Sequence, residues 1–279
     1  MALLEEVQAD TSGVPSGTPE TYLSIEGVGK TYNPKSRRAV HAVATTNCTI
    51  ESGQFVSLLG PSGCGKSTLL MMAGGLEDIT EGNISIGGTP MVGPREDIGI
   101  MFQDPTLLPW KSAIENVMFP YRVFKRPPDD LRTRAEALLD QVGLHGFYDH
   151  KPGQLSGGMR QRVAICRALI YEPELLLMDE PFSALDAITR DEMNAVLMRM
   201  WESYHKTALF VTHSIREAVF LSDRVLVMSS RPGRIIEDIT IPFPRPRTLE
   251  IGETTEFNEI CGYLRGRIEH QSLPGPADD

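Results

Sequence analysis

One octet constrains this chain more than any other stretch: Gly60, Pro61, Ser62, Gly63, Cys64, Gly65, Lys66 and Ser67 spell G-x-x-x-x-G-K-S. The five residues before it, Phe55–Leu59, form an apolar run that predicts a buried strand. Lys66–Ala73 after it predicts a helix. A glycine-rich loop in that setting turns successive backbone N–H groups toward one point, and the helix N-terminus adds partial positive charge there. Such a point suits the phosphates of a nucleoside triphosphate, with Lys66 neutralising the β- and γ-phosphates and the Ser67 hydroxyl ligating Mg2+. A glycine-rich turn with an incidental lysine would not need the strand–loop–helix context. Cys64 sits inside the loop, and a helix N-terminus can lower a thiol pKa. It reads either as reactive toward thiol reagents in the absence of nucleotide or as a small loop residue with no chemical use, and the second reading is preferred.

Other short apolar runs recur at residues 175–178, 209–211 and 225–228, rich in Val, Leu and Met. Continuous runs of this length suit strands buried on both faces of a sheet, and the helical patterns between them imply an α/β core with a mainly parallel sheet. Residues 24–50 have strand-like pieces without intervening helices, which predicts a smaller antiparallel β layer. From about residue 105 to 158 no strong strand signal occurs. Leu131, Ala135, Leu138, Leu139 and Val142 share one helix face there, so a helical subdomain inserted into the core is expected. After Ile241, PFPRPR predicts an extended connector. Phe257, Ile260, Cys261, Leu264 and Ile268 then line one face of an amphipathic helix. Residues 1–20 are expected to be a disordered tail, within which Leu3, Leu4 and Val7 could alternatively form a short membrane-contacting helix. The domain reading is therefore tail 1–20, a main α/β domain 21–241, and C-terminal extension 242–279, whose last residues form a loose end.

The run at 175–178 ends in Asp179 and Glu180. The carboxyl end of a strand is where α/β sheets bind ligands. Asp179 is placed to hold Mg2+, and Glu180 to polarise an attacking water. A strand that merely exits into an acidic loop would look the same in isolation, but not downstream of a phosphate loop. Further on, Leu155 to Arg162 read LSGGMRQR, a capped helix start that resembles half of another anion site. Arg160, Arg162 and Arg167 on that helix are expected to form a solvated or salt-bridged face.

Taken in order, GPSGCGKS, Gln103 in MFQD, LSGGMRQR, LLLMDEPFSALD and His213 in FVTHS resemble the nucleotide-binding subunit of ABC transporters. The resemblance runs from Tyr22 to about Phe243. It implies that Tyr32 stacks on adenine, although packing within the β layer remains an alternative for this residue. The expected ATP-binding set is thus Tyr32, Gly60, Pro61, Ser62, Gly63, Cys64, Gly65, Lys66, Ser67 and Thr68. The resemblance also implies that Gln103 senses Mg2+ and the attacking water, and that His213 contacts the γ-phosphate. The catalytic set is then Glu180, His213 and Gln103, and the metal set Ser67, Gln103 and Asp179. Ser156, Gly157 and Gly158 would bind the γ-phosphate of ATP held by a second ATPase subunit, an identical chain. Asp186 would contact that partner.

DPTLLPWKSAIENV after Gln103 and the later MSSRPGRI resemble the importer branch for nitrate, sulfonate, taurine, bicarbonate and related solutes. The implied partners are two permease subunits contacted near Gln103 to Trp110, and indirectly an extracytoplasmic solute-binding protein. Trp110 reads equally as a docking anchor or as core packing. Ser183 stands where this branch more often has Gly, and Cys166 where Ala is common; neither is expected to touch the chemistry. The basic segment KSRRAVHAV leaves the β-layer hairpin open.

Composition supports this reading by exclusion. A formal net charge of -10 argues against a nucleic-acid partner. No apolar run approaches the ~20 residues of a membrane span. The N-terminus carries acids where a secretory leader carries bases, so the cytoplasmic face of the membrane is the expected location. The 4 cysteines have no metal-ligand spacing and are expected to be reduced. The alternative function is a soluble ABC ATPase without a transport role. Such proteins usually carry two cassettes or a long coiled-coil insert, and neither occurs here. A phosphoryl-transferring kinase would have no use for LSGGMRQR, and an inactive regulatory subunit would not need Lys66, Asp179, Glu180 and His213.

Overall fold

In the computed structural model, residues 20–125 and 127–269 are described. The expected tail and the loose C-terminal end lie outside this range, apart from Glu20. Two sheets organise the chain. The larger has six strands in the order β10-β9-β3-β8-β7-β6. They are β3 (Phe55–Leu59), β6 (Ile98–Met101), β7 (Leu175–Asp179), β8 (Thr207–Thr212), β9 (Arg224–Met228) and β10 (Ile235–Thr240). All pairs are parallel except the edge pair β9–β10. The smaller sheet is antiparallel, ordered β2-β1-β4-β5, from β1 (Thr21–Tyr32), β2 (Val40–Glu51), β4 (Glu81–Ile86) and β5 (Thr89–Pro90). The segment left open by the sequence, residues 35–43, covers the end of the β1–β2 turn and the first four residues of β2.

The apolar runs are buried on both faces, as a covered parallel sheet requires. Along β3, Phe55 and Leu59 face one core while Val56 and Leu58 face another. The same alternation sends Ala208 and Phe210 of β8 to the first core, and Leu209 and Val211 to the second. The second core is closed by the antiparallel layer and by helix α1 (Lys66–Ala73).

Between β6 and β7 no strand occurs among the described residues. The chain there forms α2 (Ala113–Val117), α3 (Phe119–Phe124), α4 (Leu131–Gln141) and α5 (Gly157–Leu169). Leu131, Ala135, Leu138 and Leu139 are the buried face of α4, the face that the sequence periodicity predicts. Helix α2 starts with a capping box, in which Ser112 Oγ accepts from Glu115 N and Glu115 Oε2 accepts from Ser112 N. Asn116, fully buried, accepts from Leu108 N and donates to the Leu108 and Lys111 carbonyls. It thereby knits the turn that presents Trp110. That indole is 67% exposed, which settles against core packing.

The three arginines on α5 meet the expected salt-bridged face only at Arg162; all three bond backbone carbonyls. Arg160 donates to Leu155 O at 2.6 Å, Arg162 to Val142 O at 2.9 Å, and Arg167 to Pro105 O at 2.7 Å. They tie the helical region to α5 through backbone carbonyls. Only Arg162 adds an ion pair, with Glu192. A guanidinium with five donors meets orphan carbonyls well, and periodicity cannot register this.

Helices α6 (Ala187–Tyr204) and α7 (Ile215–Leu221) follow β7 and β8. The last helix, α8 (Thr255–Glu269), buries Phe257, Cys261 and Leu264 in the first core. The PRPR connector is more than a spacer. Arg247, 6% exposed, donates to the carbonyls of Val219, Phe220 and Ser222 at the end of α7, the positions where a helix leaves acceptors unpaired. Burial lowers its pKa to about 10. Arg245 lies 4.2 Å from the Trp201 ring centroid and pairs with Asp223.

Candidate functional site

The phosphate loop leaves β3 and enters α1 through Gly65, whose φ is +110°; a Cβ there would stand 2.7 Å from the Ala42 carbonyl. Only glycine suits both conditions. The loop therefore lies directly against β2. Lys66, the first helical residue, is 3% exposed and donates to Gly60 O at 2.9 Å and Pro61 O at 3.0 Å. Its Nζ also stands 3.5 Å from Glu180 Oε1. One residue on, the Ser67 hydroxyl donates to Asp179 Oδ1 at 2.7 Å. The two carboxylates at the end of β7 thus face the two polar residues that open α1.

Glu180 is the hub. Its second oxygen, Oε2, lies 2.8 Å from His213 Nδ1. Its backbone is left-handed at φ 42°, a conformation uncommon for a residue with a side chain. Three hydrogen bonds hold it there: Glu180 N donates to Val211 O, and both Ser183 N and Ser183 Oγ donate to Glu180 O. Ser183 Oγ in turn accepts from Gln103 Nε2 at 3.2 Å, and Gln161 of α5 donates to Gln103 O at 3.2 Å. Ser183 therefore touches two of the expected catalytic residues, which corrects its reading as remote from the chemistry.

Burial pushes the Asp179 carboxyl above its ordinary range, and the neighbouring Glu180 charge adds to the shift; Ser67 and Lys66 oppose it. A desolvated carboxylate with a hydroxyl at 2.7 Å and an amide nearby is the hard-oxygen chemistry that Mg2+ takes. Among the described residues no group of three or more His, Cys, Asp or Glu could hold a metal alone.

A cavity of about 310 Å3 opens over the loop. Tyr32 and Ala42 of the antiparallel layer form one wall, the 62–68 stretch the floor, and Gln103 and Glu180 the far side. Arg231, from the turn between β9 and β10, lines it as well, and sequence reading assigned it no role. Its turn approaches the loop because Gly233 has no side chain; a Cβ there would collide with the Cys64 carbonyl. Cys64 itself is 1% exposed, and burial raises its pKa despite the nearby Lys66. Desolvation outweighs the helix-terminus effect, so the thiol is not the reactive group that loop position alone would allow.

Ser156, Gly157 and Gly158 are not part of this cavity. Ser156 Oγ caps α5 by accepting from Met159 N at 3.3 Å. Gly157 borders a separate open hollow of about 440 Å3, which shares only Gln103 with the first. Asp186 caps α6, and the Thr189 N–H and hydroxyl hold its carboxyl below the usual range. One chain thus brings together Tyr32, the phosphate loop, Gln103, Asp179, Glu180 and His213, and leaves the Ser-Gly-Gly helix start outside their cavity, with Gly157 at a hollow that meets it at Gln103.

The chain is similar to known proteins over most of its length. Residues 43–183 match the family model described as ABC transporter. The bicarbonate transport ATP-binding protein of Synechocystis sp. is 42% identical over 98% of this chain and 100% of its own length. The nitrate import ATP-binding protein of Synechococcus elongatus is 43% identical over 89% of this chain and 93% of its own. A solved ATP-binding cassette, MJ0796, captured as a dimer in a post-hydrolysis state with ADP and Pi, superposes with a TM-score of 0.69. Its identity is 34%, over 80% of this chain and 100% of that one.

Proposed function

The chain belongs to the ABC transporter family, and from that premise we propose that it is the ATP-hydrolysing subunit of an importer for a small solute. The carried class is nitrate, sulfonate or taurine, bicarbonate or a related compound. The observation that carries the reading is the Glu180 carboxylate held between Lys66 and His213 beside the Ser67–Asp179 pair. That is a base, a phosphate-neutralising cation and an oxygen ligand pair around one cavity.

In this reading Tyr32 stacks on adenine and the 60–68 loop receives the phosphates. Lys66 balances their charge, Glu180 accepts a proton from the attacking water, and His213 orients Glu180 and meets the γ-phosphate. Gln103, anchored through Ser183, orders the water side of the cavity. Ser67, Asp179 and Gln103 would hold Mg2+, which when bound supplies charge neutralisation at the β- and γ-phosphates.

The Ser156–Gly158 helix start, capped yet outside the cavity, serves the ATP of a second, identical chain, with Asp186 at the contact between them. ATP closes the two chains together and hydrolysis releases them, a ligand-driven population shift. Two permease subunits receive that motion at the segment from Gln103 to Trp110, where the chain enters the helical unit of about residues 105–158. Among the described residues no helix is long and apolar enough to cross a membrane; the chain works at the cytoplasmic face, and solute choice resides in the permease and an extracytoplasmic binding protein. Co-purification with the membrane subunits, followed by solute-stimulated ATPase and uptake assays across nitrate, taurine, alkanesulfonates and bicarbonate, tests this. No solute-dependent stimulation by any of them would overturn the importer assignment.

A further inference from the structure

Glu217 is buried in the first turn of α7, 6% exposed, and takes no direct part in the cavity. One of its oxygens, Oε2, accepts from the Thr212 hydroxyl at 2.5 Å. Thr212 is the last residue of β8, immediately before His213, and its hydroxyl also accepts from Ser214 N at 2.9 Å. Thr212 thus braces the histidine from both sides. The other oxygen, Oε1, faces Arg190 Nε at 3.7 Å. Neither atom has a hydrogen-bond partner and both are buried, so across this gap they meet as charges, with His213 adding to the stabilisation of the Glu217 carboxylate. Arg190, on α6, sends its Nη2 to the carbonyl of Leu185 at 2.8 Å and more distantly to that of Ser183. Ser183 is the residue that holds both Gln103 and Glu180.

We propose that Glu217 and Arg190 are positioning residues for hydrolysis, locking the loop that carries Glu180 to the loop that carries His213. The two loops leave neighbouring strands side by side, where Asp179 pairs with Val211, and then diverge into α6 and α7. Beyond that point the Glu180–His213 contact is exposed on the histidine side, 46% for its side chain. It needs a buried reference, and the chain Thr212–Glu217–Arg190–Leu185 supplies one from below. Tight packing does not do this instead: a cavity of about 320 Å3, bordered by Arg190, Glu217, Asn194 and Phe257, lies beside the pair. A carboxylate needed only to favour the α7 N-terminus would be stable at the surface; burial raises the Glu217 pKa, a cost that Thr212 and Arg190 offset. Because small displacements of a base cost large factors in rate, truncating either side chain should let Glu180 and His213 drift while the phosphate loop stays intact.

This inference rests on the hydrolytic reading of Glu180. The test uses the full chain and the variants Glu217→Ala, Arg190→Ala, the double variant, Glu217→Gln and Glu180→Gln. Turnover per folded molecule, KM for ATP, ADP affinity and Tm are measured for each. The expectation is a kcat loss of about tenfold for each alanine variant with KM and ADP affinity within about twofold. The double variant should fall little below the worse single one. Glu217→Gln keeps an acceptor for Thr212 and a neutral partner for Arg190, so it should recover most of kcat and remains informative if the alanine variants fold poorly. Additive losses in the double variant, or full turnover per folded molecule in the single ones, overturn the proposal. Normal turnover in Glu180→Gln overturns the hydrolytic reading itself. A stalled Glu180→Gln beside a full-speed Glu217→Ala removes the positioning role alone.

Discussion

Replacing Glu180 with Gln separates binding from chemistry at this site. Both carboxylate oxygens are engaged, one 3.5 Å from Lys66 and the other 2.8 Å from His213. An amide has the same shape and can both donate and accept, so the loop and its left-handed backbone should persist. The variant loses a proton acceptor, an effect worth two to four decades in rate, or about 3 to 5 kcal/mol. It also removes a negative charge from a cavity that receives a triphosphate. Two unit charges about 4 Å apart interact by roughly 4 kcal/mol at an effective dielectric near 20. The cavity opens to solvent and Lys66 already compensates Glu180, so about a quarter of that is expected to survive, roughly 1 kcal/mol or fivefold tighter ATP binding. Single-turnover release of phosphate should therefore slow at least a hundredfold, while ATP titration shows a lower Kd. At saturating ATP the chain should elute as a dimer. A turnover loss below tenfold, or weaker ATP binding, would refute the assignment of Glu180 as the base.

Asp179→Asn should abolish ATPase activity yet raise Tm without nucleotide. The folded-state pKa of Asp179 lies above its ordinary 3.8, so the folded chain binds the proton more tightly and the charged form costs stability at neutral pH. The Tm difference between variant and parent should be largest near pH 7 and vanish as pH falls below the ordinary value; a difference that grows on acidification would contradict this. Ser156→Arg should eliminate hydrolysis but leave ATP binding by the monomer unchanged in calorimetry, and loss of monomer binding would defeat the reading that this helix start serves a partner. Phe257→Ala removes a ring that is 1% exposed, stacked on Phe243 and covered by Arg216. It should cost about 3–5 kcal/mol, or roughly 6–12 °C in Tm, by differential scanning fluorimetry. ATP affinity of the folded fraction should not change.

Features carried by local pattern were legible in the sequence. The phosphate loop, the four buried runs and the apolar faces of α4 and α8 each depend on residues within one turn or strand of each other. Cys64 marks a choice that locality leaves open: helix-terminus electrostatics would favour a reactive thiol, and burial decides for the unreactive loop residue that the sequence reading preferred. The strand β6, IGIM, has four residues, and Gly99, packed against Leu176 and Pro173, interrupts them, so its two isoleucines are too short a run to mark a strand. The antiparallel strand β10 reads as polar because it is an edge.

What the sequence could not display were polar contacts between residues far apart in the chain. Ser183 is indistinguishable from any loop serine until Gln103, eighty positions earlier, is seen to donate to it. The same holds for Arg190 and Glu217, for Arg247 on the last turn of α7, and for the arginines of α5. Each is a charged residue that pattern alone assigns to solvent, and each ends on a polar or charged group from elsewhere in the chain: backbone carbonyls for the arginines, the Thr212 hydroxyl and Arg190 for Glu217. Family motifs name the groups that touch nucleotide, but a base works only if its oxygens stay within a fraction of an ångström of their targets. Glu180 meets that demand because its backbone is held by Ser183 and Val211 while its side chain is held by Lys66 and His213. Substitutions at Ser183, Arg190 and Glu217 should therefore resemble weak active-site lesions, with kcat reduced and ATP affinity preserved, even though none of the three contributes a side chain to the wall of the nucleotide cavity.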